Sequence, residues 1–393
     1  MKQMTKMQWF LIVLAIFLVS VNLRPAVTSI GPLLNTIMED LNVSNTQMSL
    51  LTSIPVFCMG LFAPLAVPFH KRLGYKWSIN LLLIGIGIST AARLFFTSFA
   101  ALIITSFVAG VCIAIISPMI NAYIKEKFQD NFGPIIGVYS LAIGFGAMIS
   151  AGLTGVFYEQ FQNSWPSALS IWGILAAVAV VVWSVAISDR EQQIEKVEES
   201  QNVRNPWKNK KIWTILLFFG FQTSLFFSLT TWLSPMGIEK GMDLVTAGSV
   251  ITVMSIVQMI GNIVIPSLLN RYQNIVAWLY GLIAVGLLGV LVLFIDSQYA
   301  IWAGAIILGV SLSGLFPIGL MMPLQESQNE AEAHSFSSMV FSGGFMMSAI
   351  VPLLIGFVYD FTGTHVVSKV ILVVICIAMF ITVAMYAKES RSV

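Results

Sequence analysis

The chain has 393 residues, 57% of them hydrophobic and only 10% charged. A water-soluble globular protein carries about 25% charged residues, so this composition excludes a soluble body and points to a bilayer as the solvent. A formal net charge of +2 gives nucleic-acid binding no electrostatic support.

About 20 mainly apolar residues are needed for a helix to cross the hydrocarbon core. Continuous runs of that kind predict twelve spans, at 8–36, 46–67, 77–98, 100–123, 133–157, 166–187, 212–236, 244–268, 274–295, 299–321, 335–358 and 366–387. Barrel strands would instead be about 10 residues long with in–out alternation. The expected class is therefore an all-α membrane protein.

In chain order, the first run follows basic Lys2 and Lys6 but is longer than a signal-peptide core of about 7–15 residues, so it is read as a retained span. It contains Asn22, Arg24 and Pro25, of which Asn22 and Arg24 are candidate solute-binding residues, as is Thr28. Arg24 lies roughly 15 residues in, about 22 Å along a helix rising 1.5 Å per residue, slightly past the midplane. An arginine at that depth costs at least about 2.5–3.5 kcal/mol and is usually tied to function. Its planar fork suits an anionic or strongly polar solute group. The alternative is structural: Arg24 could bond backbone carbonyls freed by Pro25. Thr28 shares its face at i+4.

After the second span comes His70-Lys71-Arg72-Leu73-Gly74-Tyr75-Lys76, in which Arg72 and Gly74 are candidate gating residues. In the fourth span, Ser117, Pro118 and Asn121 share a face. The fifth is rich in glycine (Gly137, Gly144, Gly146, Gly152, Gly155), which suggests close helix approach, either as a sliding seam or as static packing. Residues 188–211 are highly charged with no apolar face and read as a linker, giving a six-helix half at 1–187 and another at 212–393. In the seventh span, Gln222 and Phe226 share a face as a polar and aromatic wall, with Thr223 and Trp232 nearby. Trp232 also suits an interfacial belt. For each polar residue taken singly, interhelical hydrogen bonding is the competing reading. Pro317 marks the tenth span and, with Pro118 and Gly144, joins Arg72 and Gly74 as a candidate gating residue.

All eighteen acids fall in loops, the linker or helix ends, so Arg24 has no carboxylate partner at its depth. Proton coupling would have to use a helix-end acid such as Asp360 or Glu159, or the solute itself. His70, His334 and His365 lie in or beside loops. Cys58, Cys112 and Cys376 sit in apolar runs without metal spacing, as core packing.

An even number of spans puts both termini on one side. That side collects Lys2, Lys6, Lys71, Arg72, Lys76, Lys125, Lys127, Arg271, Lys388, Arg391 and the linker, against Arg93, Lys240 and Lys369 opposite. The positive-inside rule makes the termini cytoplasmic.

The halves repeat. Gly110-Val111 with Pro118 matches Gly309-Val310 with Pro317 at an offset of 199. Gly155, Tyr158 and Glu159 match Gly356, Tyr359 and Asp360 at 201. Gly60 and Arg72 correspond to Gly261 and Arg271. A parallel repeat of six spans is the pattern of major facilitators, with a midplane site between pseudo-symmetric halves that rock in alternating access. The loop at 70–76 resembles a degenerate form of the conserved cytoplasmic loop of that superfamily, with Lys71 where an aspartate would stand.

Four segments resemble one branch of it, the cyanate/2-nitroimidazole porter family. They are Asn22 to Pro32, Ile124 to Phe128 after Pro118, Gly220 to Ser224 with Trp232 to Pro235, and Gly356 to Gly363. Ser234 interrupts the expected Leu-Pro pair. Arg24 and Gln222 carry over by direct match, whereas Asn121 stands on position alone. The resemblance implies a bacterial cytoplasmic-membrane secondary transporter, and family members are associated with small anions and small nitrogen heterocycles.

The expectation is a secondary active transporter, a symporter in type, for a small polar, anionic solute. A multidrug or nitrogen-heterocycle exporter of the same fold is the alternative. An intramembrane enzyme would need a nucleophile or metal constellation, and ATP-driven transport a GxxxxGK[ST] loop; neither is present. The expected partners are the solute, protons and the bilayer, with no cofactor or metal, for a chain acting as a monomer.

Overall fold

Inside a bilayer every backbone polar group must be satisfied within the protein, which leaves the helix as the spanning element for these long apolar runs. The computed structural model describes residues 5–128, 132–187, 204–271, 274–328 and 330–391; Lys2 and linker residues 188–203 lie outside them. Among the described residues all regular elements are helical. The first span is broken into α1 (Lys6–Val21), α2 (Pro25–Thr28) and α3 (Leu34–Leu41). Then come α4 (Asn45–Leu61), α5 (Ala66–Ala92), α6 (Phe99–Lys127), α7 (Phe132–Gln160), α8 (Trp165–Ser170) and α9 (Gly173–Ala186). The second half comprises α10 (Lys210–Glu239), α11 (Leu244–Arg271), α12 (Ile275–Val292), α13 (Gln298–Gln325), α14 (Glu330–Ser348), α15 (Ile350–Thr362) and α16 (Val366–Arg391).

Among the described residues ten segments are long and apolar enough to cross a membrane, and α4 with α5, bent by 51°, makes an eleventh. Gly74 interrupts α5 at φ 70° and ψ 177°, a conformation that an L side chain would strain. It marks the turn between the second and third spans, so the bent pair carries two crossings. The bundle thus has the twelve crossings read from the sequence.

The sequence repeat has a packing counterpart. Gly110 of α6 lets Pro55 of α4 approach, a Cβ there meeting the Pro55 Cα at 2.6 Å. Its partner Gly309 of α13 does the same for α11, at 2.8 Å from the Met254 carbonyl. Gly155 and Gly356 instead face the opposite half. A Cβ on Gly155 would touch Leu244 and Val245 of α11, and one on Gly356 would meet the Asn45 carbonyl of α4 at 2.7 Å. These contacts lie at the distal end, away from the termini.

Along α7 the seam loosens toward the terminal end. Gly152 abuts the Thr252 hydroxyl, Gly144 is in ordinary contact with Met259 at 3.6 Å, and Gly137 has nothing within 4 Å. Gly146 faces the first half instead, where an added Cβ would run into the Val21 carbonyl. That carbonyl sits where Pro25, lacking an N–H, leaves the first span without a hydrogen bond. Gly146→Ala should therefore force α7 off the break and lower the melting temperature in detergent by several degrees, while Gly137→Ala leaves it unchanged.

At the terminal end, Arg204 binds Glu332 through Nε and Nη2, both at 2.8 Å, and Glu332 also accepts from the backbone N–H of Arg204 and Gln328. The Arg204 hydrogen bonds hold the Glu332 carboxyl down at about 2, from an ordinary 4.5. A depressed carboxyl contributes stability above its unfolded pKa and loses it as pH falls toward the folded value. Acidification from about pH 4.5 toward 2 should thus lower the melting temperature of the native protein more than that of Glu332→Gln.

Candidate functional site

The break in the first span sets the site. Asn22 ends α1 and turns its amide to the Leu18 carbonyl at 2.7 Å and to Leu175 of α9 at 3.2 Å. Arg24 caps α2, and its carbonyl accepts from the amides of Val27 and Thr28 at 2.9 and 3.0 Å. Thr28 adds its own hydroxyl to that carbonyl and meets the Ser150 hydroxyl at 2.6 Å.

The Arg24 side chain reaches into the interface between halves. Its Cζ lies 5.3 Å from the ring centre of Phe226 and 5.5 Å from that of Phe227, both on α10. Such distances are cation–π contacts. Nη1 is buried and has no hydrogen-bond partner. The alternative in which Arg24 satisfies carbonyls freed by Pro25 is thus not what the guanidinium does among the described residues. Gln222, one turn from Phe226, is fully buried, and neither its amide oxygen nor its nitrogen has a partner. On the first half the Tyr139 hydroxyl of α7 lies 2.7 Å from Ser117 Oγ, within hydrogen-bonding reach of Asn121, and interacts electrostatically with Arg24.

Arg24, Asn121, Gln222 and Phe226 are therefore candidates set about one interface, and Tyr139 and Phe227 join them. Sequence reasoning missed both, because a tyrosine and a phenylalanine among many apolar residues carry no signal until neighbouring helices are placed. Asn22 and Thr28 are committed to holding the break. Trp232 is neither a cavity wall nor a belt residue. It is fully buried, donates Nε1–H to the Pro352 carbonyl at 3.1 Å, and packs on Tyr359 and His365. The reason is that α10 runs against the end of α15, so its last turns meet protein and not lipid. His365 is likewise buried, at 2% exposure, and not a loop surface residue.

Of the gating candidates, Gly74 supplies the turn described above and Arg72 is exposed beside it. Pro118 and Pro317 stay inside continuous helices α6 and α13. Gly144 lies where the seam loosens. The distal closure includes a residue read from the sequence only as a helix-end acid. Asp360 of the second half accepts four hydrogen bonds at the N-terminus of α4, from the Asn45 and Thr46 amides at 2.8 and 2.9 Å and from both their side chains. An anion at the first exposed N–H groups of a helix is well placed electrostatically.

The same chain regions are recognised by comparison. The Major Facilitator Superfamily profile matches residues 9–349. An uncharacterized Bacillus subtilis transporter, YycB, is 29% identical over 95% of this chain and 92% of its own. The Escherichia coli cyanate transport protein CynX is 26% identical, covering 90% and 91%, and the 2-nitroimidazole transporter of the same organism 24%, covering 90% and 89%. The resemblance drawn from the four sequence segments thus extends over most of the chain. A crystal structure of a bacterial homologue of the human lysosomal transporter Spinster, in an inward-facing and unoccupied conformation, superposes with a TM-score of 0.77 at 14% identity over 98% of this chain and 99% of that one. It shares the fold. The superfamily profile over residues 9–349, with transporter relatives along most of the chain, makes it a multi-pass membrane transporter and not an enzyme, and it belongs to the Major Facilitator Superfamily.

Proposed function

We propose that this protein is a secondary active transporter that moves a small anionic solute across the cytoplasmic membrane, with Arg24 as the central binding cation. The observation that carries this reading is a guanidinium between the two halves with a buried, unpartnered Nη1, together with an unpartnered Gln222 amide one turn from Phe226, whose ring that guanidinium covers. Leaving such groups unmade in a low-dielectric site costs about 1–3 kcal/mol each or more for a charge. A small anion that accepts from both recovers that cost.

Phe226 and Phe227 flank the guanidinium and exclude water, which strengthens its interaction with an anion. Asn121, Ser117 and Tyr139 offer further donors from the first half. A ligand held by residues of both halves favours the closed arrangement of the two, as alternating access requires. The halves are assigned to 1–187 and 212–393, both termini to the cytoplasm, and protons to the coupling role; the Lys and Arg distribution supports the orientation.

Relatives named for cyanate and for 2-nitroimidazole support this solute class and favour a second reading in one respect. A planar nitro-heterocycle offers two oxygens to a guanidinium and a ring to the phenyl pair. The test is thermal stabilisation of the purified protein by cyanate, by 2-nitroimidazole and by chloride at matched ionic strength. A ligand that binds only the folded state raises the melting temperature. Stabilisation by cyanate but not chloride is expected; stabilisation by 2-nitroimidazole alone favours the heterocycle, and none by either overturns the reading.

A further inference from the structure

Arg93 counts, by sequence, among the loop charges at the distal end. In the structure it is fully buried at the C-cap of α5. It has no carboxylate among its hydrogen-bond partners, yet each of its three nitrogens donates a hydrogen bond. Nη1 donates to the Ala26 carbonyl at 3.2 Å, Nη2 to Ser106 Oγ at 3.2 Å and Nε to Thr105 Oγ1 at 3.4 Å. A buried guanidinium bound only by neutral oxygens is costly, so its retention needs a reason.

Ala26 is two residues beyond Arg24 and directly follows Pro25. In an unbroken helix its carbonyl would accept from the amide of Ile30, but that amide is turned to the Val27 carbonyl at 3.4 Å. Arg93 supplies the missing donor. The second half gives an internal control. At the repeat offset near 200, Arg93 corresponds to Leu293, the C-cap of α12, which is apolar and fully buried. Ala26 corresponds to Phe226, in the middle of α10, a helix that runs without a break from Lys210 to Glu239. The buried arginine is present in the half whose first span is broken and absent from the half whose equivalent span is continuous.

We infer that Arg93 is a positioning residue: it pins the broken turn of the first span to α6 and thereby fixes where Arg24 presents its guanidinium. The pin ties together three acceptors on two elements, α2 and α6, which a planar fork can do and a point-like ammonium cannot. The inference rests on the proposed role of Arg24 only for its effect on solute binding.

The test has two arms, on Arg93→Lys and Arg93→Met in purified full-length protein. The first needs no ligand: hydrogen–deuterium exchange over residues 20–33, with 212–236 as the control. Exchange at 20–33 should rise at least about tenfold in Arg93→Met and less in Arg93→Lys, with the control within about twofold. Unchanged exchange at 20–33, or an equal rise in both segments, overturns the pin. Should Arg93→Met fail to fold, Arg93→Lys decides this arm.

The second arm is the Kd for cyanate, expected to weaken at least about tenfold in Arg93→Lys at an unchanged ligand-free melting temperature. A native Kd in a variant whose break has loosened overturns the positioning role. Failure of native protein to bind cyanate, or native binding by Arg24→Ala, counts against the anion reading instead and leaves the exchange arm to decide the pin.

Discussion

Arg24→Ala should weaken cyanate binding at least about 100-fold and abolish transport, while the protein still inserts and elutes as a folded species. A hundredfold loss corresponds to about 2.7 kcal/mol. That is within reach of one or two hydrogen bonds from a charged donor, each about 1.5–3 kcal/mol. Folding should survive because the backbone of Arg24, and not its side chain, anchors the break: its carbonyl holds Val27 and Thr28, and Asn22, Thr28 and Arg93 hold the flanks. Alanine supplies the same carbonyl.

Arg24→Lys keeps the charge but loses the bidentate fork and the flat face over Phe226 and Phe227. It should fall between the two, weakened about tenfold. Cyanate uptake into proteoliposomes and the ligand-induced thermal shift read both variants. Native uptake by a well-folded Arg24→Ala protein would remove Arg24 from the binding site.

Asp360→Asn should open the distal end. Both Asp360 oxygens accept, one pair of bonds to Asn45 and the other to Thr46. An amide keeps one accepting oxygen and turns its NH2 toward donors, so about half of the contacts are lost and a repulsive one is added. At about 1.4 kcal/mol per factor of ten, losing 1.5–3 kcal/mol shifts the equilibrium toward the distal-open state by roughly 10- to 100-fold.

Among the described residues the matched pair in the other direction carries no such device. The N-terminus of α11 is capped from its own chain segment, by Asp243 accepting from Thr246 at 2.9 Å, and Glu159 is exposed. The latch is therefore one-sided, and Glu159→Gln is the control expected to change nothing. Spin labels on Phe95→Cys and Tyr299→Cys, exposed at the distal ends of the two halves, report the separation; the three native cysteines are buried. An unchanged distance distribution in Asp360→Asn would show that helix packing alone, through Gly155 and Gly356, holds that end closed.

Much of this architecture was legible in the sequence because bilayer crossing is a local demand. Twenty apolar residues with satisfied backbone can do little else, so the spans, the repeat and the depth of Arg24 follow from the order of residues alone. Gly74 and the matched glycines are legible for a related reason, since each reports a backbone constraint at its own position. The pairing of groups from different helices is not local. Arg93 and Arg24 are each an arginine near an apolar run, and only the placement of α2, α6 and α10 decides that one has every nitrogen bonded to a neutral oxygen and the other has a buried Nη1 left open. Trp232 and Asp360 acquire their places in the same way, from contacts across 120 and 315 residues of chain, and Tyr139 from a neighbouring helix 22 residues back. The sequence by itself determined a twelve-helix transporter with one deep arginine in its first span. The tertiary structure decided which polar groups are spent on holding the fold and which remain available to a solute, because hydrogen bonding in an apolar interior depends on which helix faces are brought together.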